Sequence, residues 1–402
     1  VQVGEAVVVE RSGLDALLAE LRRRGYRTVG PVARDGAITY DDVTSGADLP
    51  EGFHDVAAPG HYRIEHTDDP ALFAWAVGPH SPKAHVFPPS SVVWRARPGE
   101  DGAMVSEDVA APTVATAMVG IRPCDLAALG VLDRVMRDAP APDPVYGARR
   151  DSTFVVAAEC GTPSATCFCT SMGTGPSAQA GFDVALTEIV DGDGHRFVMR
   201  AGTPVGADVL GALAHRPTTD HDEAARDGVI DGAVARITRR LDTGDLPALL
   251  ERNLEHPRWD EVADRCLACG NCTLVCPTCF CSTVRDTSDL SGNLQRTKTW
   301  ASCFDLAHSY VHGGPVRTST RSRYRQWLTH KLGTWHDQFG TSGCVGCGRC
   351  IAWCPVGIDL TEETAAIRAA DGATTPARAA DGATTPARAA DGATTGPAGG
   401  AT

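Results

Sequence analysis

Residues 13–25, "GLDALLAELRRRG", carry apolar positions at helical spacing and close on a glycine, which predicts a helix with a C-terminal stop. Residues 26–100 are rich in Gly and Pro, with short strand-like pieces such as "YRTVGPV" and "HVFPP". Two stronger apolar runs follow. "ATAMVGI" leads into "RPCDLAALGVLDRV", a strand, turn and helix, and "STFVVAAEC" leads into a loop containing "TCFC". "FDVALTEIV" and "HRFVMRAG" also pattern as strands. The expected fold over residues 1–245 is α/β or α+β, with cysteines just past the carboxyl ends of two strands, where open α/β sheets place their sites. Residues 219–250 pattern as charged helices and lead into a cysteine-rich region expected to be a mostly helical, ferredoxin-like domain over 246–365. From Ala369 the unit "AADGATTPAR" repeats every ten residues, with almost no apolar bulk and recurring proline. Such a segment cannot offset its ordering entropy, so 366–402 is expected to be a disordered tail.

Composition narrows the class. The 402 residues suffice for two or three domains, and 43% hydrophobic with 22% charged residues is ordinary for a water-exposed globular chain. No apolar run approaches the roughly 18 residues a membrane helix needs. The opening "VQVGEAVVVERSG" lacks a basic stretch ahead of an apolar core, so export is not expected. A net charge of −13 argues against nucleic acid as a partner. Fifteen cysteines in short-spaced runs, without an export signal, point to a cytoplasmic metal protein rather than a disulfide framework.

Two runs carry the chemistry. Cys266, Cys269, Cys272 and Cys276 precede Pro277, and Cys344, Cys347, Cys350 and Cys354 precede Pro355. Both follow C-x2-C-x2-C-x3-C-P, the spacing that wraps three thiolates around a [4Fe-4S] cubane and sends the fourth to the other cluster. Zinc sites use paired C-x2-C instead. Cluster I is therefore expected on Cys266, Cys269, Cys272 and Cys354, and cluster II on Cys344, Cys347, Cys350 and Cys276. Between the runs lies a basic stretch with Arg317, Arg321, Arg323, Arg325 and Lys331, read either as a solvated helical face or as a docking surface. His308 and His312 stand four apart without a following Glu and are expected to be structural.

The motifs "CLACGNCTLVCPTCFC", "SCFDLAHSYVHGG", "RYRQWLTHKL" and "GCVGCGRCIAWCPVGID", with "GIRPCDLAAL" and "ECGTPSATCFCTSMGTGP" earlier, resemble the iron–sulfur β subunit of cytoplasmic sulfhydrogenase-type [NiFe] hydrogenases. The A subunit of anaerobic sulfite reductase shares the pattern. The resemblance covers roughly residues 10–360. It implies an electron relay between a flavin subunit that handles NAD(P)H and a subunit that carries the catalytic metal. The chain itself has no Walker loop, and Gly173-x-Gly175-x-x-Ala178 contains Pro176 and opens no evident helix, so flavin and nicotinamide are expected on a partner.

Seven cysteines lie outside the runs. Cys124, Cys160, Cys167 and Cys169 fall at or after strand ends and are enough for a third metal site, iron–sulfur in preference to zinc; the alternative is buried, reduced thiols. Cys279, Cys281 and Cys303 follow the first run and are read as neighbours of a cubane, or as a site completed by His308 or Asp305. Two other classes stay open: a self-standing metalloenzyme using the third site, and a scaffold in which clusters only staple the fold.

Overall fold

The run Ala6–Glu10 buries Val7, Val8 and Val9 together, which marks a strand covered on both faces rather than one. The computed structural model describes residues 1–107, 109 and 114–374. Along the chain come strands β1 (Ala6–Glu10), β2 (Arg27–Arg34), β3 (Ala37–Asp42), β4 (Phe53–Ala58), β5 (His61–His66), β6 (Ser90–Pro98), β7 (Met104–Glu107), β8 (Thr116–Ile121), β9 (Thr153–Ala158), β10 (Val184–Asp191), β11 (Gly194–Ala201), β12 (Arg216–Pro217), β13 (Ser282–Ser288) and β14 (Leu294–Trp300).

Eight of these form one sheet in the order β12-β1-β11-β10-β9-β8-β2-β3. The inner pairs β2–β8, β8–β9 and β9–β10 are parallel, and the flanking pairs are antiparallel. Parallel neighbours need a crossover, and helix Pro123–Met136 supplies part of the one between β8 and β9. Helix Gly13–Arg23 forms as expected. Leu14, Leu17, Leu18 and Leu21 are fully buried on its inner face, and the chain leaves it through Gly25 at φ +91°.

"HVFPP" does not form a strand. Residues Lys83–Val86 are a short helix entered through Pro82, and Val86 and Phe87 pack with Leu129, Leu132 and Tyr146. Pro88 and Pro89 have no N–H to give a ladder, so the apolar pair is buried by a turn instead. The region 219–250 divides into helices Asp220–Arg236 and Leu246–Arg252. Thr219 and Asp222 make a reciprocal cap at the first, and Pro247 occupies the first turn of the second.

The cysteine-rich half is mainly helical. Helices Leu246–Arg252, Arg258–Arg265, Thr320–Thr329 and Leu360–Thr374 surround a core that includes Leu249, Trp259, Trp327, Leu328, Ile351 and Ile367. It also contributes the β13–β14 hairpin, which joins β6 and β7 in a four-stranded sheet, β13-β14-β6-β7. The disorder expected from residue 366 is corrected for 366–374. Helix Leu360–Thr374 runs through it because Ile367 is fully buried and Asp371 meets Arg252 at 2.7 Å. The remainder of that expected tail, 375–402, lies outside the described residues. No helix among the described residues is long and apolar enough to cross a membrane.

Candidate metal centres

Cys266 follows directly on helix Arg258–Arg265, and the chain then turns through Ala268 at φ +51° and Gly270 at φ +78°. That turn aims the Ala268 N–H at Cys266 Sγ, 3.4 Å away. Cys266, Cys269 and Cys272 line one cavity, and Cys354, from the far end of the second run, lines it with them. Cys350 reaches the same wall. Phe304, Tyr324, Trp327 and Ile358 supply apolar sides, and Ile358 N–H donates to Cys354 Sγ at 3.3 Å. Around the second run the relation is reciprocal. Cys344, Cys347 and Cys350 each lie within electrostatic reach of Cys276, and Gly346 N–H donates to Cys344 Sγ at 3.4 Å. The two runs thus exchange their fourth cysteines in space.

These surroundings fit iron–sulfur clusters. Backbone N–H groups aimed at sulfur stabilise thiolates. Burial pushes the Cys344 thiol up to about 12 and raises Cys347 as well, so a thiolate in that pocket needs a cation beside it. Cluster irons meet that need. The two surroundings differ in exposure. Cys269 is exposed and its neighbour Leu267 is 64% exposed, whereas Cys344 and Cys347 are buried.

Two lysines stand beside the second set, Lys331, which sequence marked only as part of the basic stretch, and Lys83, which it did not mark. Lys331 is 2% exposed, and its Nζ donates to Cys276 Sγ at 3.1 Å, Gly343 O at 2.9 Å and Thr278 Oγ1 at 3.3 Å. It sits in a π-helical turn, His330–Thr334, that follows helix Thr320–Thr329. Burial opposes its charge, but the sulfurs of Cys276 and Cys279 outweigh burial and hold its pKa well above the usual lysine range. Lys83, equally buried, donates to the carbonyls of Cys276 at 2.8 Å and Cys279 at 3.2 Å and lies 3.8 Å over the Trp300 ring. The basic stretch is therefore divided between the buried Lys331 ammonium and arginines bonded at or near the surface. Arg321 and Arg325 pair with Glu255, and Arg323 donates to Phe304 O at 2.6 Å. The only signal in sequence was that Lys331 belongs to a basic run in an acidic chain.

The first TCFC loop, Thr166–Cys169, is pressed against the second cysteine run. Phe168 N–H donates to Gly346 O at 2.8 Å, and Thr174 Oγ1 donates to Val345 O at 2.6 Å. A Cβ on Gly346 would stand 2.7 Å from the Cys169 backbone, and one on Gly348 would stand 2.4 Å from Thr166 O. Both glycines have positive φ, so contact and conformation each require the missing side chain. Arg349 locks the same junction. Its guanidinium makes paired bonds to Asp125 at 2.6 and 2.7 Å and donates to Gly78 O and His80 O, with both charges buried. Cys124, beside Asp125, faces Cys347 and Cys169, and Cys167 faces Cys160 and Cys169. These four thiols are neighbours in pairs and are not drawn in to the span of a single ion. Among the described residues only Asp191, Asp193 and His221 converge that closely, and they are exposed. Of the later thiols, Cys279 turns to Cys276, while Cys281 meets Cys303 and His308.

A 4Fe-4S dicluster domain model matches residues 265–358, the span that holds both runs. The sulfhydrogenase 2 subunit beta of Pyrococcus furiosus is 33% identical over 257 residues, which cover 62% of this chain and 73% of that protein. No solved structure matches. With the paired cysteine runs in place and three quarters of that relative spanned, the chain belongs to the family of sulfhydrogenase β subunits, iron–sulfur proteins built on a dicluster domain.

Proposed function

We propose that this chain is an iron–sulfur electron-transfer subunit of a cytoplasmic [NiFe] hydrogenase complex, relaying electrons between a flavin subunit that handles NAD(P)H and a subunit carrying the catalytic metal. The observation that carries the reading is the exchange of fourth cysteines, Cys354 to the first run and Cys276 to the second. Cys266, Cys269, Cys272 and Cys354 hold one [4Fe-4S] cluster, and Cys344, Cys347, Cys350 and Cys276 hold the other. Such clusters carry one electron each. The chain's own part is to bury one set more deeply than the other, leave Cys269 at the surface, and keep thiolates solvated by N–H groups and by Lys331.

The exposed side of the first set, with Cys269, Leu267 and Val356, is where a partner would exchange electrons. Residues 1–245 form one unit and residues from 246 the dicluster unit, tied by the shared β13-β14-β6-β7 sheet. The relative's identity as a sulfhydrogenase subunit favours the hydrogenase reading over the sulfite reductase one.

Iron and sulfide analysis with EPR on anaerobically purified protein tests this. About eight irons per chain are expected at four per cluster, and about twelve would place a third cluster on Cys124, Cys160, Cys167 and Cys169. Cys354→Ser should damage the signal that Cys269→Ser also damages. Loss of the Cys344 signal instead would refute the crossed ligation. Fewer than four irons would remove the relay.

A further inference from the structure

Cys281 and Cys303 flank the open end of the β13–β14 hairpin. Ser282 pairs with Trp300 as the last rung, and Ala301 N–H closes on Cys281 O at 2.9 Å. This brings Cys281 and, two residues beyond Ala301, Cys303 to the same end of the hairpin, each half-buried, where the two thiols and the exposed His308 ring interact through hydrogen bonds. Phe280 packs edge-on between Trp335 and Phe339, which separates Cys281 from Cys279 along the chain. The pair borders the exposed cysteine set. Cys303 faces Cys272, and Ser302, next to Cys303, accepts from Thr273 Oγ1 at 2.7 Å, next to Cys272.

A site for a single metal ion is the rival arrangement. It needs three or four ligand atoms converging on one point. Cys281, Cys303 and His308 do not converge in that way, since Asp191, Asp193 and His221 are the only such group among the described residues. Two facing thiols with a basic ring on one of them is the arrangement a dithiol–disulfide couple needs.

We propose that Cys281 and Cys303 are a redox-active thiol pair that opens and closes an S–S bond with electrons drawn from the centre at Cys266, Cys269, Cys272 and Cys354. The proposal rests on the relay reading for its electron source. Reduction breaks the S–S bond and takes up two electrons, delivered one at a time, and two protons. One proton goes to Cys303 sulfur and the other to His308, leaving Cys281 as a thiolate beside an imidazolium. Oxidation returns both electrons and both protons. The electrostatics agree with that division. Hydrogen bonding from Cys303, with a further contribution from His308, holds the Cys281 thiol well below its ordinary range, while the same contact and burial raise Cys303. His308 in turn is raised by its bond to Cys281. Asp305 on the same loop and Arg317 across from it are the other charges near His308, and His330 faces Cys281. The couple would hold a two-electron equivalent near the surface, beside carriers that move electrons singly.

The test is thiol trapping at controlled potential on the full chain, purified anaerobically. Aliquots poised from oxidising to reducing are quenched with N-ethylmaleimide under denaturing conditions, read by peptide mass spectrometry, and matched to EPR on the same samples. The expected result is a Cys281–Cys303 linked peptide that gives way to two alkylated peptides along a two-electron curve. Cys281→Ser should abolish the linked peptide and leave both EPR signals intact. Alkylation of both thiols at every potential would overturn the proposal. So would protection of both with zinc or iron in excess of the clusters, released by Cys281→Ser, which would make them metal ligands. The two readings fail separately. Missing EPR signals would sink the relay, while the couple itself is judged by a linked peptide that dithiothreitol opens.

Discussion

Replacing Lys331 by Met removes a positive charge 3.1 Å from Cys276 Sγ and leaves the buried side chain's volume nearly unchanged. An electron added to a cluster spreads over it rather than resting on one sulfur, so its mean distance from the ammonium is taken as about twice the sulfur contact, roughly 6 Å. At an effective dielectric near 20, a unit charge at that distance contributes about 3 kcal/mol. For a one-electron couple, with 59 mV for each tenfold change, this corresponds to about 120 mV. Lys331→Met should therefore lower the midpoint potential of the centre proposed on Cys344, Cys347, Cys350 and Cys276 by about 100 mV, and Lys331→Arg should largely preserve it. EPR-monitored redox titration resolves the two centres, and the one at Cys266, Cys269, Cys272 and Cys354 serves as internal control. A shift under about 20 mV, or an equal shift at both centres, would refute the assignment of Lys331 as the local countercharge.

Three further outcomes are expected. Asp125→Ala leaves Arg349 buried without its countercharge, which costs about 3–5 kcal/mol and should appear in urea unfolding of the holoprotein. Gly348→Ala sets a methyl 2.4 Å from Thr166 O at a positive φ, and proteolysis should then cut the 160–176 loop faster, while Gly130→Ala, where a Cβ meets nothing, should not. Hydrogen bonds, Arg216 first, hold the Asp222 carboxyl far below its ordinary range, despite some opposition from burial. The stability it contributes is complete above its unfolded pKa of about 3.9 and is lost as pH falls through the folded value. Asp222→Asn should lower stability at pH 7 and flatten the acid limb of the stability curve.

Sequence exposed what depends on local spacing. The two cysteine runs, the helix at 13–25 and the strands at 116–121 and 153–158 each carry their pattern within one short window. What escaped depends on pairs distant in the chain. Lys331 belonged to a run of arginines, and only the π-helical turn and the approach of Cys276 distinguish it from a solvated cation. Lys83 lay in a Gly- and Pro-rich stretch where no motif marks a buried ammonium. The β13–β14 hairpin joins β6 across nearly two hundred residues, a pairing that alternation alone cannot assign. The end of the last helix was missed for an energetic reason. The repeat composition from Ala369 argues for disorder, but Ile367 just before it and Asp371 within it reach the folded core and Arg252.

The seat of the Thr166–Cys169 backbone on Gly346 and Gly348 has a consequence for how the protein is put together. Once the first half of the chain has docked, the loop carrying Cys344, Cys347 and Cys350 is walled in on that side, and Arg349 pins it to Asp125. The exposed loop at Cys269 has no such cover. On the dicluster reading an order of assembly is therefore expected, with the inner centre filled before the two halves close and the outer one open to exchange afterwards.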